Sequence, residues 1–204
     1  MRQVALLGST GSIGTQALEV IAEHPGELRV AGLAAGSRMD LLAEQVRAYR
    51  PEWVAVAGLA EAERLRNLLG PGETPELLWG EEGLAEGASR AADVVLMAVV
   101  GARGLRPTLA ALEAGRTVAL ANKESLVTGG SLVQEAVRRG GGRLVPVDSE
   151  HSAVFQCLAG SDSRELRRVI LTASGGPFRG RGEAELSRVT PDDALAHPTW
   201  RMGR

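Results

Sequence analysis

The 204-residue sequence is short of cysteine, aromatics, long apolar runs and surplus charge, and most of these shortages close off a class of protein. Its one cysteine, Cys157, has no partner for an internal disulfide, so the chain is no stapled secreted scaffold and a reducing, cytoplasmic setting is expected. No apolar stretch approaches the ~20 residues that span a bilayer. The run 4–7 after Met1-Arg2-Gln3 is too short for a secretory signal, so no membrane association is expected. Lys and Arg total 23 against 25 Asp and Glu, a net charge of −2 that gives no footprint for nucleic acid. Aromatics make up 3% of residues, and no function is read from that scarcity.

What is present is an ordinary globular composition, 44% hydrophobic and 24% charged, with ample material for a core. Short apolar runs alternate with longer segments of helical period, the pattern of a parallel α/β sheet. Strands are expected at 4–7, 28–35, 53–57, 94–99, 117–120 and 143–147, with helices at 12–22, 40–49, 61–69, 105–114 and 131–139. The stretch 70–87, rich in Gly, Pro and Glu, reads as turns and a short connecting element. After Val147 the texture changes: 149–158 reads as a helix, 166–172 as a strand, and 173–179 as a Gly/Pro loop of the kind that contacts ligands. The expected fold is α/β, a Rossmann-type doubly wound parallel sheet over 1–147. Over 148–204 it is followed by the start of an α+β catalytic domain whose remainder is missing.

Gly8-Ser9-Thr10-Gly11-Ser12-Ile13-Gly14 follows the first strand and opens a helix. Gly8 permits a tight turn, Gly11 a close approach to a pyrophosphate, and Gly14 close helix–strand packing. The helix start offers free N–H groups and a positive dipole end to phosphates. The spacing leaves two residues between successive glycines, a variant of the usual dinucleotide fingerprint; the alternative is a turn-and-cap cluster with no ligand. At the end of the second strand, where an NAD site places Asp or Glu, this chain has Gly36-Ser37-Arg38. Arg38 can pair with a 2′-phosphate and Ser37 can donate to it, which favours NADPH over NADH. Otherwise Arg38 caps a solvated helix start.

Two polar clusters follow later strands. Asn122-Lys123-Glu124 stands at a sheet edge of the kind that binds ligands, yet such a run is also an ordinary solvated helix start. Asp148-Ser149-Glu150-His151 ends an apolar strand. In extended geometry Asp148 and Glu150 would point the same way, and a cation would relieve their repulsion. Oxygen ligands favour Mg²⁺ or Mn²⁺ over zinc. The competing reading is a helix start, with Asp148 or Ser149 as cap and Glu150 in the first turn. His151 is most simply structural, Ser174 suits phosphate in its glycine-rich loop, and Cys157 is expected to pack in a helix.

Read together, five segments resemble the 1-deoxy-D-xylulose 5-phosphate reductoisomerase family of non-mevalonate isoprenoid biosynthesis. They are Gly8 through Gly14, Ala121-Asn122-Lys123-Glu124-Ser125, Pro146 through His151, Leu171 through Arg179, and His197-Pro198-Thr199-Trp200-Arg201-Met202-Gly203. The resemblance implies that Thr10, Gly11, Ser12 and Ile13 bind NADPH phosphates, with Gly36, Ser37 and Arg38 around the adenosine ribose. Family members often carry Lys-Asn where this chain has Ser37-Arg38. Asn122, Glu124 and Gly203 would also contact NADPH. Lys123, Ser149, Glu150, Ser174, His197 and Trp200 would hold the substrate, with Lys123, Asp148, Glu150 and His197 taking part in catalysis. Asp148 and Glu150 would ligate Mg²⁺, Mn²⁺ or Co²⁺, and Trp200 and Met202 would belong to a flap over the substrate.

The implied reaction converts 1-deoxy-D-xylulose 5-phosphate to 2-C-methyl-D-erythritol 4-phosphate. Carbon–carbon rearrangement by retro-aldol and aldol steps precedes hydride delivery from NADPH, in a cytoplasmic enzyme that is a homodimer when full length. Family members run nearly twice as long, with a Ser…Asn-Lys…Glu segment just past this end and a C-terminal helical domain beyond. The 204-residue chain is therefore expected to bind NADPH without turning substrate over. The alternative from another class is a non-catalytic NADP(H)-binding module.

Overall fold

The computed structural model describes residues 1–172 and 175–199, with Ser163 by its backbone alone. Seven short strands form one parallel sheet: β1 (Arg2–Leu7), β2 (Leu28–Ala35), β3 (Trp53–Val56), β4 (Glu76–Trp79), β5 (Val94–Met97), β6 (Thr117–Leu120) and β7 (Arg143–Pro146). Their spatial order is β4-β3-β2-β1-β5-β6-β7, so the chain builds outward from β1 in one direction, then returns and builds outward in the other. That reversal between β1 and β5 is the topological switch point of a doubly wound sheet.

The strands read as near-continuous apolar runs because both sheet faces are covered. Alternation along β1 sends Val4 and Leu6 to one face and Ala5 and Leu7 to the other. The first face packs under α1 (Ser12–Glu23), α2 (Met39–Tyr49) and α3 (Leu59–Leu69), through residues such as Leu18, Leu42 and Leu65. The second packs under α4 (Gly80–Ser89), α5 (Leu105–Glu113) and α6 (Glu124–Gly140), through Ala88, Leu112 and Val133. Residues Met1–Phe155 make one compact unit; Gln156–Arg204 make a second.

Three segments depart from the sequence expectation. The stretch expected as turns holds β4 and the three-turn helix α4. Gly70, Gly72 and Gly80 have the positive φ of turns, but two of the glycines that suggested turns face inward: a Cβ on Gly83 would lie 3.0 Å from Leu78, and one on Gly87 2.5 Å from the Trp53 ring. They let α4 press against the sheet. Helix α6 begins seven residues earlier than expected and continues through Gly129 with a kink (φ −135°, ψ 31°), where a Cβ would strike Leu105 at 2.7 Å. The Gly129-Gly130 pair thus bends the helix without ending it. The expected strand at 166–172 is not formed; Val169, Ile170 and Leu171 are exposed. A strand needs a ladder partner, and among the described residues none lies beside it.

In the second unit, α7 (Ser149–Leu158) continues past its boundary, and α8 (Glu183–Leu186) and α9 (Pro191–Leu195) are short. Thr190 and Asp193 cap α9 reciprocally, with Pro191 at its first position. Cys157 lies on α7 as expected but is exposed, because that helix has no buried face among the described residues.

Candidate functional site

The glycine loop sits at the carboxyl end of β1, beside the switch point. Gly8 has φ +95°, and a Cβ there would lie 2.4 Å from the Ala98 carbonyl oxygen; one on Gly14 would lie 2.3 Å from the Gly8 carbonyl oxygen. Both positions therefore require glycine on steric grounds. The loop is tied to β2 by the Gly8 and Ser9 N–H groups, which donate to the Ala34 carbonyl at 2.8 and 2.9 Å. Gln45 Nε2 braces it from α2 by donating to the Ser9 carbonyl at 3.0 Å. Gly11 is the N-cap of α1 and no side chain caps that helix, so its first-turn N–H groups remain unengaged by the helix itself. Thr10 is buried, whereas Ser12 and Ile13 stand exposed on the first turn.

A cleft of about 490 Å³ opens above these strand ends. Its floor is made of small apolar residues, among them Ala34, Ala35 and Ala55, and its rim includes Gly8, Gly11 and Gly36. Gly36 is exposed, and a Cβ there would meet nothing within 4 Å. Apolar floor, glycine rim and an uncapped helix start together fit a flat heteroaromatic ring joined to phosphates. Arg38 is the N-cap residue of α2, but its side chain makes no cap bond. Nor does that guanidinium have any ion pair or side-chain hydrogen bond among the described residues. Ser37 and Arg38 are exposed beside the cleft without lining it.

Asn122 stands just after β6 and faces into the protein. It is 3% exposed, and its Nδ2 donates to the carbonyls of Val99 (2.5 Å) and Gly101 (2.8 Å). Its Oδ1 accepts from the Ser125 N–H at 2.9 Å and from the Ser125 hydroxyl. Both donors and both lone pairs are thereby used within the protein. The side chain clamps the loop after β5 to the start of α6.

Lys123 and Asp148 meet at the ends of β6 and β7, Nζ to Oδ2 at 2.7 Å. The ammonium holds the Asp148 carboxyl below its usual range, and Asp148 in turn raises Lys123. Asp148 is not extended relative to Glu150: the Ser152 N–H donates to the Asp148 carbonyl at 2.8 Å, so α7 starts here with Glu150 in its first turn. The helix-start geometry replaces the extended pair because Ser149 onward follows helical bonding. His151 Nδ1 lies 3.5 Å from Asp148 Oδ1, and the Ser149 hydroxyl donates to Glu150 Oε2 at 3.1 Å. Glu124 is exposed at the first position of α6. Among the described residues no group of three or more His, Cys, Asp and Glu is arranged to hold a metal. Two carboxylates alone still suit a hard cation that takes its other ligands from water and substrate.

In the second unit the Thr199 N–H donates to His197 Nδ1 at 3.0 Å, which in the neutral ring leaves the proton on Nε2. Ser174, Trp200 and Gly203 lie outside the described residues. The sequence reading also missed the far wall of the cleft, formed by Arg103 and Arg106 after β5 and by Glu81 on α4. The signal was present in Gly101-Ala102-Arg103-Gly104, a second glycine-bounded turn directly after a strand.

A doubly wound sheet with a glycine loop and a cleft at its switch point defines a Rossmann-type dinucleotide-binding class. Known proteins make the assignment narrower. The family described as 1-deoxy-D-xylulose 5-phosphate reductoisomerase matches residues 4–130, and the C-terminal domain of that enzyme matches residues 144–204. The chain belongs to the 1-deoxy-D-xylulose 5-phosphate reductoisomerase family.

Among curated relatives, the reductoisomerase of Symbiobacterium thermophilum is 54% identical over 98% of this chain and 52% of its own length. That of Gloeobacter violaceus is 53% identical over 100% and 52%. The Zymomonas mobilis reductoisomerase, solved in complex with NADPH, superposes with a TM-score of 0.87 at 42% identity, covering 95% of this chain and 51% of that one. A reductoisomerase solved with NADPH, fosmidomycin and magnesium gives a TM-score of 0.87 at 35% identity, over 100% and 52%. The chain spans about half the length of the relatives it matches.

Proposed function

We propose that this chain is the NADPH-binding portion, with the beginning of the metal- and substrate-binding portion, of an enzyme converting 1-deoxy-D-xylulose 5-phosphate to 2-C-methyl-D-erythritol 4-phosphate. The observation that carries the reading is the sterically obligatory glycine loop bordering an apolar cleft, with no carboxylate at the end of β2. The division falls at Asp148: residues 1–147 serve the cofactor and 148–204 open the catalytic part.

In this reading the first turn of α1, with Thr10, Gly11, Ser12 and Ile13, receives the pyrophosphate, and Gly36, Ser37 and Arg38 surround the adenosine ribose. Glu124 and Gly203 contribute to the same cofactor, and Asn122 contributes by holding the loop after β5. NADPH supplies hydride, and a Mg²⁺ or Mn²⁺ ion on Asp148 and Glu150 supplies Lewis acidity toward an α-hydroxyketone. Lys123, now on Asp148, is the cation at hand for a substrate oxyanion or phosphate, and Ser149, Ser174, His197 and Trp200 complete substrate binding. A cytoplasmic setting accords with the single cysteine. The homodimer at full length rests on the family resemblance alone.

The direct test is titration of the 204-residue chain with NADPH and NADH by calorimetry. The expected result is saturable NADPH binding, tighter than NADH. Equal affinity for the two cofactors, or no binding of either, would overturn the assignment of the cleft.

A further inference from the structure

Two arginines line the cleft, and one of them is already engaged. Arg106 on α5 donates through Nη2 to Glu82 Oε2 at 2.5 Å, with Glu81 Oε2 3.8 Å from its Nη1. Arg103, in the 3-10 turn Gly101–Gly104, is exposed and has no ion pair or side-chain hydrogen bond among the described residues.

The backbone that carries Arg103 is nevertheless held on both sides. Asn122 fixes the carbonyls of Val99 and Gly101 just before it, and Gly104 just after it is buried close against the same side chain. A pre-positioned turn thus presents to the cleft a guanidinium that is unpaired among the described residues. Another part of the lining is Gly36, at the end of β2, where a Rossmann-type site meets the adenosine ribose.

The uncapped start of α1 supplies N–H groups for a pyrophosphate, but a 2′-phosphate adds charge that calls for cationic side chains. A guanidinium is the group best shaped to take it, through paired N–H donors. Resting on the NADPH reading above, we infer that Arg103 is a second determinant of cofactor choice, pairing with the adenosine 2′-phosphate from the β5 side of the cleft. Arg38 serves the same phosphate from the β2 side. Arg106, neutralised by Glu82 and Glu81, contributes little.

The test compares the unmutated chain with Arg103→Ala and Arg103→Lys, using NADPH, NADH, adenosine 2′,5′-bisphosphate and adenosine 5′-monophosphate as calorimetric ligands. Thermal melting checks that each variant is folded. Arg103→Ala should weaken NADPH and the bisphosphate by about 10- to 100-fold while NADH and the monophosphate stay within about twofold. Arg103→Lys should recover part of the loss, because a point charge replaces the fork. Equal losses for NADPH and NADH would move Arg103 to the pyrophosphate and overturn the inference. Unchanged NADPH affinity would overturn it as well, leaving the NADPH reading standing. Failure of the unmutated chain to bind NADPH would remove both.

Discussion

A Cβ placed on Gly104 would lie 2.8 Å from Cγ of Asn122, so the turn after β5 and the buried amide at the end of β6 fit only with glycine between them. The amide is the hub of this corner, with four hydrogen bonds to Val99, Gly101 and Ser125. Asn122→Ala would leave two half-buried carbonyls and the buried Ser125 N–H without these partners, at a cost of roughly 2–4 kcal/mol. Urea unfolding measures it. A change under about 0.5 kcal/mol, the scale of ordinary surface substitutions, would mean the clamp is not structural.

Gly8 and Gly36 border the same cleft but differ in what a methyl group would meet. At Gly8, positive φ and the Ala98 carbonyl at 2.4 Å combine, so Gly8→Ala should destabilise the fold by about 2 kcal/mol or more. At Gly36 there is open space, so Gly36→Ala should leave stability within about 0.5 kcal/mol. Because that methyl would project where the ribose is proposed to lie, NADPH affinity should still fall. Melting curves and NADPH titration of the two variants separate the effects, and unimpaired binding by Gly36→Ala would count against that ribose position.

Arg38 presents, at the head of α2, a guanidinium with no ion pair among the described residues. Arg38→Ala should shrink the preference for NADPH over NADH by about 1–3 kcal/mol, the range of a charge-assisted hydrogen bond. The measurement is the ratio of the two dissociation constants. An unchanged ratio would return Arg38 to the role of a solvated helix start.

In a full-length protein carrying these residues, Asp148→Asn or Glu150→Gln should abolish turnover that depends on Mg²⁺ or Mn²⁺ while NADPH affinity stays nearly constant. The two carboxylates lie beyond β7, apart from the glycine loop, so charge lost there does not reach the phosphates. Wild-type turnover by either variant would remove that carboxylate from the metal site.

The edge strand β4 is tied to α4 by Arg90, which donates to both oxygens of Glu76 at 2.6 Å and to Glu86 Oε1 at 2.5 Å. The guanidinium lowers the Glu76 pKa below its ordinary value, so the unfolded chain binds the proton first. The stabilising contribution is complete above the ordinary glutamate pKa of about 4.3 and is lost as pH falls through the lower folded value. The protection factors for hydrogen exchange at residues 76–79, taken relative to the intrinsic rate at each pH, should therefore fall on acidification below about pH 4, and should be lowered already at pH 7 in Glu76→Gln. Exchange insensitive to both changes would show that the pair does not hold the edge.

How much of this was legible depended on the range of the interactions involved. Local signals sufficed for β2 and β6 and for the core of α1, α2, α3 and α5, where apolar period and turn residues agree. The glycine loop was legible for the same reason, since its glycines fall within seven consecutive residues directly after a strand. The stretch 70–87 misled because Gly83 and Gly87 have the same local signature as turn glycines, and only the approach of Leu78 and Trp53 reveals them as packing positions.

The chemical identity of each group was thus determined by the sequence alone: a glycine-rich turn, a missing acid at the end of β2, and oxygen donors at 148 and 150. Only the tertiary structure decided which of these groups border the cleft and which face each other. It turned Asn122 inward onto Val99, Gly101 and Ser125, brought Lys123 across to Asp148, and left Arg103 in the cleft wall with no ion pair among the described residues. Those outcomes depend on strands far apart in the chain lying side by side, and hydrogen bonds and ion pairs form between atoms a few ångströms apart whatever their separation in sequence.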